Sequence, residues 1–137
     1  MAWNTAGLIS VQMPNEVKTI YCYRDGHPSH VGYLLLHFYR SQTAAESIVA
    51  LGNLCFLGRS VESPPQHSLK QHKQDFTVAC GRDRGEAHTR ARSYPSLIEA
   101  LAKEETDYNY YWNGHRWYVN GYELTQEFLK LAEQNGA

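Results

Sequence analysis

Between Ile20 and Tyr39 the chain passes from a strand to an amphipathic helix with almost no residues to spare, and this junction constrains any fold it can adopt. From Val17 the residues alternate, with Ile20 and Cys22 on one side and Thr19, Tyr21 and Tyr23 on the other. That period of two indicates a strand with one buried face. Asp25-Gly26 reads as a turn, because Gly tolerates positive φ and Asp can bond its own backbone. Pro28 suits a first helical turn, with His27 or Ser29 at the cap. Val31, Leu34, Leu35 and Phe38 recur at helical spacing as the buried stripe of a helix expected from Ser29 to Arg40. Asp25, Gly26, Pro28 and Gly32 are thus read as structural residues of the turn and helix start. The unpaired N–H groups of such a terminus can hold an anion.

The rest of the chain supplies partners for that unit. Gly7 to Met13 alternates with Ile9 and Val11 inward, and Pro14-Asn15 turns it back into a hairpin whose apolar face includes Ile20 and Cys22. Ser41 caps a second helix to about Leu51, with Gly52 at its stop, and Leu54 to Leu57 reads as an apolar link. Residues 59–74 are polar, contain Pro-Pro and lack a period, so a mobile loop is expected there. Phe76 to Cys80 reads as a strand, Arg82 to Glu86 as a turn, and Ser93 with Pro95 as the start of a third helix with Leu97, Ile98 and Leu101 inward. Asn113-Gly114 predicts a two-residue hairpin turn. It sets Tyr108, Tyr110, Trp112, His115, Trp117 and Val119 on a core side, and Asn109, Tyr111, Arg116, Tyr118 and Asn120 on the other. Leu124, Phe128 and Leu131 mark a closing helix. The expectation is one α+β domain over residues 1–137, an antiparallel sheet built from N-terminal and C-terminal hairpins with about four helices mainly on one face.

Composition narrows the function classes. A formal charge of −1 provides no general attraction to nucleic acid or acidic membranes, so neither is expected as a partner. Cys22, Cys55 and Cys80 are odd in number and widely spaced, which fits reduced thiols in a cytosolic protein. Neither a leader sequence nor a membrane span is read from the chain. The expected site of action is the cytoplasm of the cell that makes it.

Four constellations carry chemistry. Arg82, Arg84, Arg90 and Arg92, with Lys70 and Lys73 before them, could hold phosphate or carboxylate through bidentate guanidinium donation; the alternative is neutralisation by Asp83 and Glu86. Tyr111, Tyr118 and Arg116, with Asn109 and Asn120, make a polar-aromatic face suited to a flat ligand, or else ordinary cross-strand pairing. Asp25, His27 and His30 are bunched within one turn without a distant fourth ligand, so no metal and no cofactor is expected. Cys80, near Arg82 and His88, is the best-placed nucleophile of the three thiols. With no hydrolase, phosphate-loop or zinc-protease motif, the chain reads as a binding protein, not an enzyme.

The stretch Ile20-Tyr21-Cys22, Asp25-Gly26, Pro28, Val31-Gly32, Leu35 and Tyr39 resembles a family of small proteins of tailed phages and prophages. These share Ile-Tyr-Cys-x-x-Asp-Gly-x-Pro, then Val-Gly and a Leu-rich helix. Thr77-Val78-Ala79 followed by Arg82-Asp83-Arg84-Gly85-Glu86 is a second match, and the aromatic C-terminal hairpin a third. Tyr23 and Arg24 stand where the family has His-Trp, and Cys80 where it has Tyr. The resemblance implies phage or prophage origin, action in a bacterial host's cytoplasm, and a counter-defence accessory role. The expected mechanism is sequestration of a small phosphorylated nucleotide-type ligand, with Arg82, Arg84 and Arg116 on phosphates and Tyr111 or Tyr118 stacked on the base. The alternative is a protein–protein inhibitor of a host defence nuclease or effector complex, anti-CRISPR-like in action. Further alternatives are a Cys80-dependent enzyme and a nucleic-acid binder. The first two readings favour a homo-oligomer, since a small domain makes a deep pocket most easily at a subunit junction.

Overall fold

A computed structural model describes residues 5–64 and 75–134. The strands are β1 (Gly7–Gln12), β2 (Val17–Cys22), β3 (Leu54–Phe56), β4 (Val78–Ala79), β5 (Arg92–Tyr94), β6 (Tyr108–Trp112), β7 (Trp117–Val119) and β8 (Tyr122–Glu123). The helices are α1 (Tyr33–Phe38), α2 (Gln42–Val49), α3 (Cys80–Arg84), α4 (Leu97–Glu104) and α5 (Gln126–Gln134). One sheet runs β4-β3-β2-β1-β6-β7-β8, and β5 shares the far edge of β2 with β3.

The α+β class and both hairpins are present. The sheet that unites them is mixed rather than purely antiparallel, because β1 pairs parallel with β6 and β2 parallel with β3. Hairpin signals report only antiparallel neighbours. Parallel neighbours come from long crossovers, whose direction local sequence does not encode. In the first hairpin Ile9 faces Ile20 and Gly7 faces Cys22, so the expected apolar face forms. That face meets α1, α2 and α5 in a core with Tyr110, Trp112, Trp117 and Val119. Each fully buried aliphatic residue there, such as Ile20 or Leu35, contributes roughly 1.5–3 kcal/mol. The aromatic heads are satisfied. Trp117 Nε1 donates to the Tyr39 carbonyl at 2.7 Å, and Trp112 Nε1 to Gln42 Oε1 at 2.7 Å. α4 lies over the opposite face, against β2 and β5, above a buried Ser10–Thr19 hydroxyl pair at 2.9 Å. Among the described residues no helix is long and apolar enough to cross a membrane.

The strand-to-helix junction is tighter than its sequence shows. Asp25, not Gly26, takes the left-handed conformation, at φ 56°. Gly26 is required for close approach, since a Cβ there would lie 2.5 Å from the Gly7 nitrogen. Its N–H donates to the Thr5 carbonyl at 2.7 Å and its carbonyl accepts from Tyr110 Oη at 2.6 Å. His27 Nδ1 caps the Ser29 N–H, and Pro28–Gly32 forms a π-helical turn before α1. A Cβ added at Gly32 would lie 3.3 Å from both Leu124 and Leu129, so the bare glycine lets α5 pack closely on this turn.

Several expectations need correction. Phe38 is exposed, and Tyr39 is buried in its place with its hydroxyl on the Gly58 carbonyl at 2.6 Å. Leu54–Phe56 is a strand, and residues 80–84 are a helix rather than a turn. Residues 92–94 are drawn into pairing with β2, so α4 starts later, capped by Ser96, and Ile98 points outward at 80% exposure. The second hairpin turns on Gly114-His115. Asn113 Oδ1 accepts from the N–H groups of both His115 and Arg116, which moves the turn centre one residue on. The pairs become Trp112–Trp117, Tyr111–Tyr118 and Tyr110–Val119. A two-residue shift in pairing preserves the faces of the strands, but His115 lies at the exposed tip. Of the expected loop at 59–74, residues 65–74 lie outside the described residues.

Candidate functional site

Along the outer face of the second hairpin, α4 and β6–β7 enclose a cleft of about 630 Å³. Leu97, Leu101 and Glu105 form the helix wall. Asn109, Tyr111, Tyr118 and Asn120 form the sheet wall, with Thr106 and Asp107 closing one end. Tyr111 and Tyr118 are direct cross-strand partners, and both line the cleft. The Tyr111 hydroxyl donates to Gln12 Oε1 at 2.5 Å, and burial raises its pKa. Among the described residues the Tyr118 hydroxyl has no hydrogen-bond partner.

The two amides expected to read a ligand are committed to the frame. Asn109 Oδ1 accepts from the Thr106 N–H at 2.9 Å, and its Nδ2 donates to the Thr106 carbonyl at 2.8 Å. Asn120 Oδ1 accepts from the Asn109 N–H, and its Nδ2 donates to the Asp107 carbonyl. They brace the cleft end. Among the described residues, the only charged ones lining the cleft are the acids Glu105 and Asp107.

The arginines expected on phosphate do not converge on these tyrosines. Arg82 pairs with Asp83 at 2.9 Å and donates to the Val61 and Thr77 carbonyls. Asp83 in turn accepts from the Ala79 N–H and the Ser63 hydroxyl. Burial opposes ionisation of Asp83, but these bonds and the Arg82 charge outweigh it and lower its pKa. Arg82 is therefore a staple between α3 and residues 61–63. Arg84 is exposed at the end of α3, and β4 lies five strand spacings from β7 in the sheet order, about 24 Å. Arg116 is at the hairpin tip, 3.4 Å from Glu123, in a separate depression with Leu36, Arg40 and Leu124. Arg90 lines another hollow with Lys18, Thr43 and Ser47, and Arg92 is locked onto Glu104.

The helix-start groups are structural. One His30 ring nitrogen contacts the Leu57 carbonyl at 2.8 Å and the other lies 3.6 Å from Asp25; His27 caps, and burial lowers its pKa. His37 contacts Gln126. Among the thiols, burial raises Cys22 to about 12. Cys80 is almost fully buried, its Sγ 3.0 Å from that of Cys55. Their shared hydrogen bond favours ionisation of one thiol of the pair and disfavours that of the other. Glu86 is the third potential metal ligand at this pair. The two cysteines are 25 positions apart and β3 was read as a link, so no spacing signalled the meeting. Compared with protein-family models, curated proteins and solved structures, the chain has no match.

Proposed function

We propose that the protein acts by binding, with a flat heterocycle of nucleoside type seated in the cleft between α4 and β6–β7. The observation that carries this reading is the Tyr111–Tyr118 pair facing Leu97 and Leu101 across a space of about 630 Å³. An aromatic surface on one side and an aliphatic wall on the other suit a ring that needs stacking rather than charge. The acids at the cleft modify the original expectation: if the ligand is a nucleotide, its base enters and its phosphates point away. In the setting implied by the resemblance, a phage or prophage accessory protein would blunt a host defence by sequestering such a molecule.

Isothermal titration with nucleosides and their mono- and diphosphates tests this. A nucleoside should bind at least as tightly as its phosphorylated forms. Tyr118→Ala should weaken binding about tenfold or more, given roughly 1–3 kcal/mol per stacked base. Arg84→Ala should leave affinity unchanged. No nucleoside binding, or dependence on Arg84 without dependence on Tyr118, would sink the proposal.

A second reading, inhibition of a host defence protein, is favoured by Ile98 on α4 and Tyr122 on β8, 80% and 67% exposed. Ile98 follows the cleft-lining Leu97, and Tyr122 stacks on Phe128 of α5; exposed large side chains of this kind suit interface anchors. Under that reading a bacterial defence complex is inhibited by the wild-type chain but not by Ile98→Ser/Tyr122→Ser, and nucleosides do not compete.

A further inference from the structure

Cys55 and Cys80 meet where β3 runs beside β4 and the chain enters α3. The exposed carboxylate of Glu86 completes a group whose donor atoms all lie within 4.8 Å of one another. The turn that delivers it is well fixed. Gly85 takes φ +68° as its N–H donates to the Gly81 carbonyl at 2.9 Å, and the Glu86 N–H donates to the Cys80 carbonyl at 3.1 Å. Among the described residues the Glu86 carboxylate has no ion-pair partner. Phe56 and Val78 pack beside the sulfurs on the inner side.

We propose that Cys55, Cys80 and Glu86 form a site for a thiophilic divalent cation, best matched by Zn²⁺, with a fourth position open to solvent. Two soft sulfurs and one carboxylate oxygen are ligands that Zn²⁺ accepts together, whereas Ca²⁺ and Mg²⁺ take oxygen alone. Each thiol gives its proton to solvent as its sulfur binds. Zn–S bonds of about 2.3 Å at tetrahedral angles put two sulfurs about 3.8 Å apart. The observed 3.0 Å therefore opens by a small side-chain rotation. Two thiolates and a carboxylate leave one net negative charge on a divalent ion. A disulfide between the same sulfurs would give Glu86 no role. The site shares no residue with the tyrosine cleft, so the two proposals stand or fall separately.

The full chain, kept reduced with a phosphine, is titrated with Co²⁺ and then Zn²⁺. A thiolate-to-cobalt charge-transfer band should saturate at one equivalent and be extinguished by Zn²⁺. Cys80→Ser should abolish the band while retaining the far-ultraviolet circular dichroism. Glu86→Gln, at an exposed position, should weaken Co²⁺ binding on the order of tenfold, and decides the matter if Cys80→Ser does not fold. The proposal is overturned by absence of the band in the reduced protein, by its survival in Cys55→Ser/Cys80→Ser, or by undiminished affinity in Glu86→Gln. Ready formation of a Cys55–Cys80 disulfide in air under saturating Zn²⁺ would also overturn it.

Discussion

Gly58→Ala should destabilise the protein by about 3 kcal/mol or more, and lower its melting midpoint by about 10 °C. An added Cβ would lie 2.1 Å from the Phe76 carbonyl oxygen, 2.4 Å from its carbon and 2.8 Å from its nitrogen. All three are backbone atoms, so no side-chain rotation relieves the clash. Moving the segments apart would break a closely knit set of bonds. The Gly58 N–H donates to Thr77 Oγ1 at 2.9 Å, its carbonyl accepts from Tyr39, and Thr77 Oγ1 donates to the Ser60 carbonyl at 2.8 Å. Gly121→Ala is the control. A Cβ there meets nothing within 4 Å and faces only the positive φ of +87°, worth about 1–2 kcal/mol. Urea unfolding followed by the fluorescence of buried Trp112 and Trp117 separates the two. Equal losses in both variants would show that the Gly58–Phe76 approach is not a rigid contact.

The same crossing shows what local sequence cannot encode. Alternation at Ile9, Val11, Ile20 and Cys22, the Ser41 cap and the faces of the second hairpin were legible, because each depends on neighbours within a few residues. Strand β3 was not. It is three residues long and buried throughout, and such a run reads as a strand only once β2 and β4 flank it. The pairing of Arg92–Tyr94 with β2 likewise displaced a plausible helix start, tertiary contact prevailing over local capping. The candidate site was half legible. Tyr111 and Tyr118 were placed on one outer face by period two alone, and that face does line a cleft. Its other wall comes from α4, whose position is set by long-range pairing. The arginines misled because charge pattern does not distinguish a free guanidinium from one already serving as a staple, as Arg82 does with Asp83 and two carbonyls.

Glu104→Ala should cost about 3–5 kcal/mol at neutral pH and should also weaken the cleft. The Glu104 carboxylate, nearly buried, receives both Nε and Nη2 of Arg92 and the Tyr94 hydroxyl. Without it Arg92 keeps, among the described residues, only Asn53 Oδ1, the Arg90 carbonyl and the Tyr21 ring at 4.9 Å. That leaves a half-buried guanidinium without a counter-charge. Because Glu104 ties the last turn of α4 to β5, and Glu105 beside it lines the cleft, the loosened helix should reduce affinity for any cleft ligand. The pH dependence identifies the cause. Burial works against the charged form of Glu104, yet the Arg92 and Tyr94 hydrogen bonds and the Arg92 charge prevail, so its folded pKa lies below the usual 4.5. A depressed carboxyl stabilises the fold fully above its unfolded pKa, and that contribution is lost as pH falls through the folded value. The stability gap between wild type and Glu104→Gln, measured by urea unfolding, should therefore be constant from pH 7 down to about 5 and narrow steadily below about 4.5. Asp83, also depressed, titrates in both proteins and cancels in the difference. A gap that stayed constant to pH 3 would mean that the Glu104 charge is not what binds α4 to the sheet.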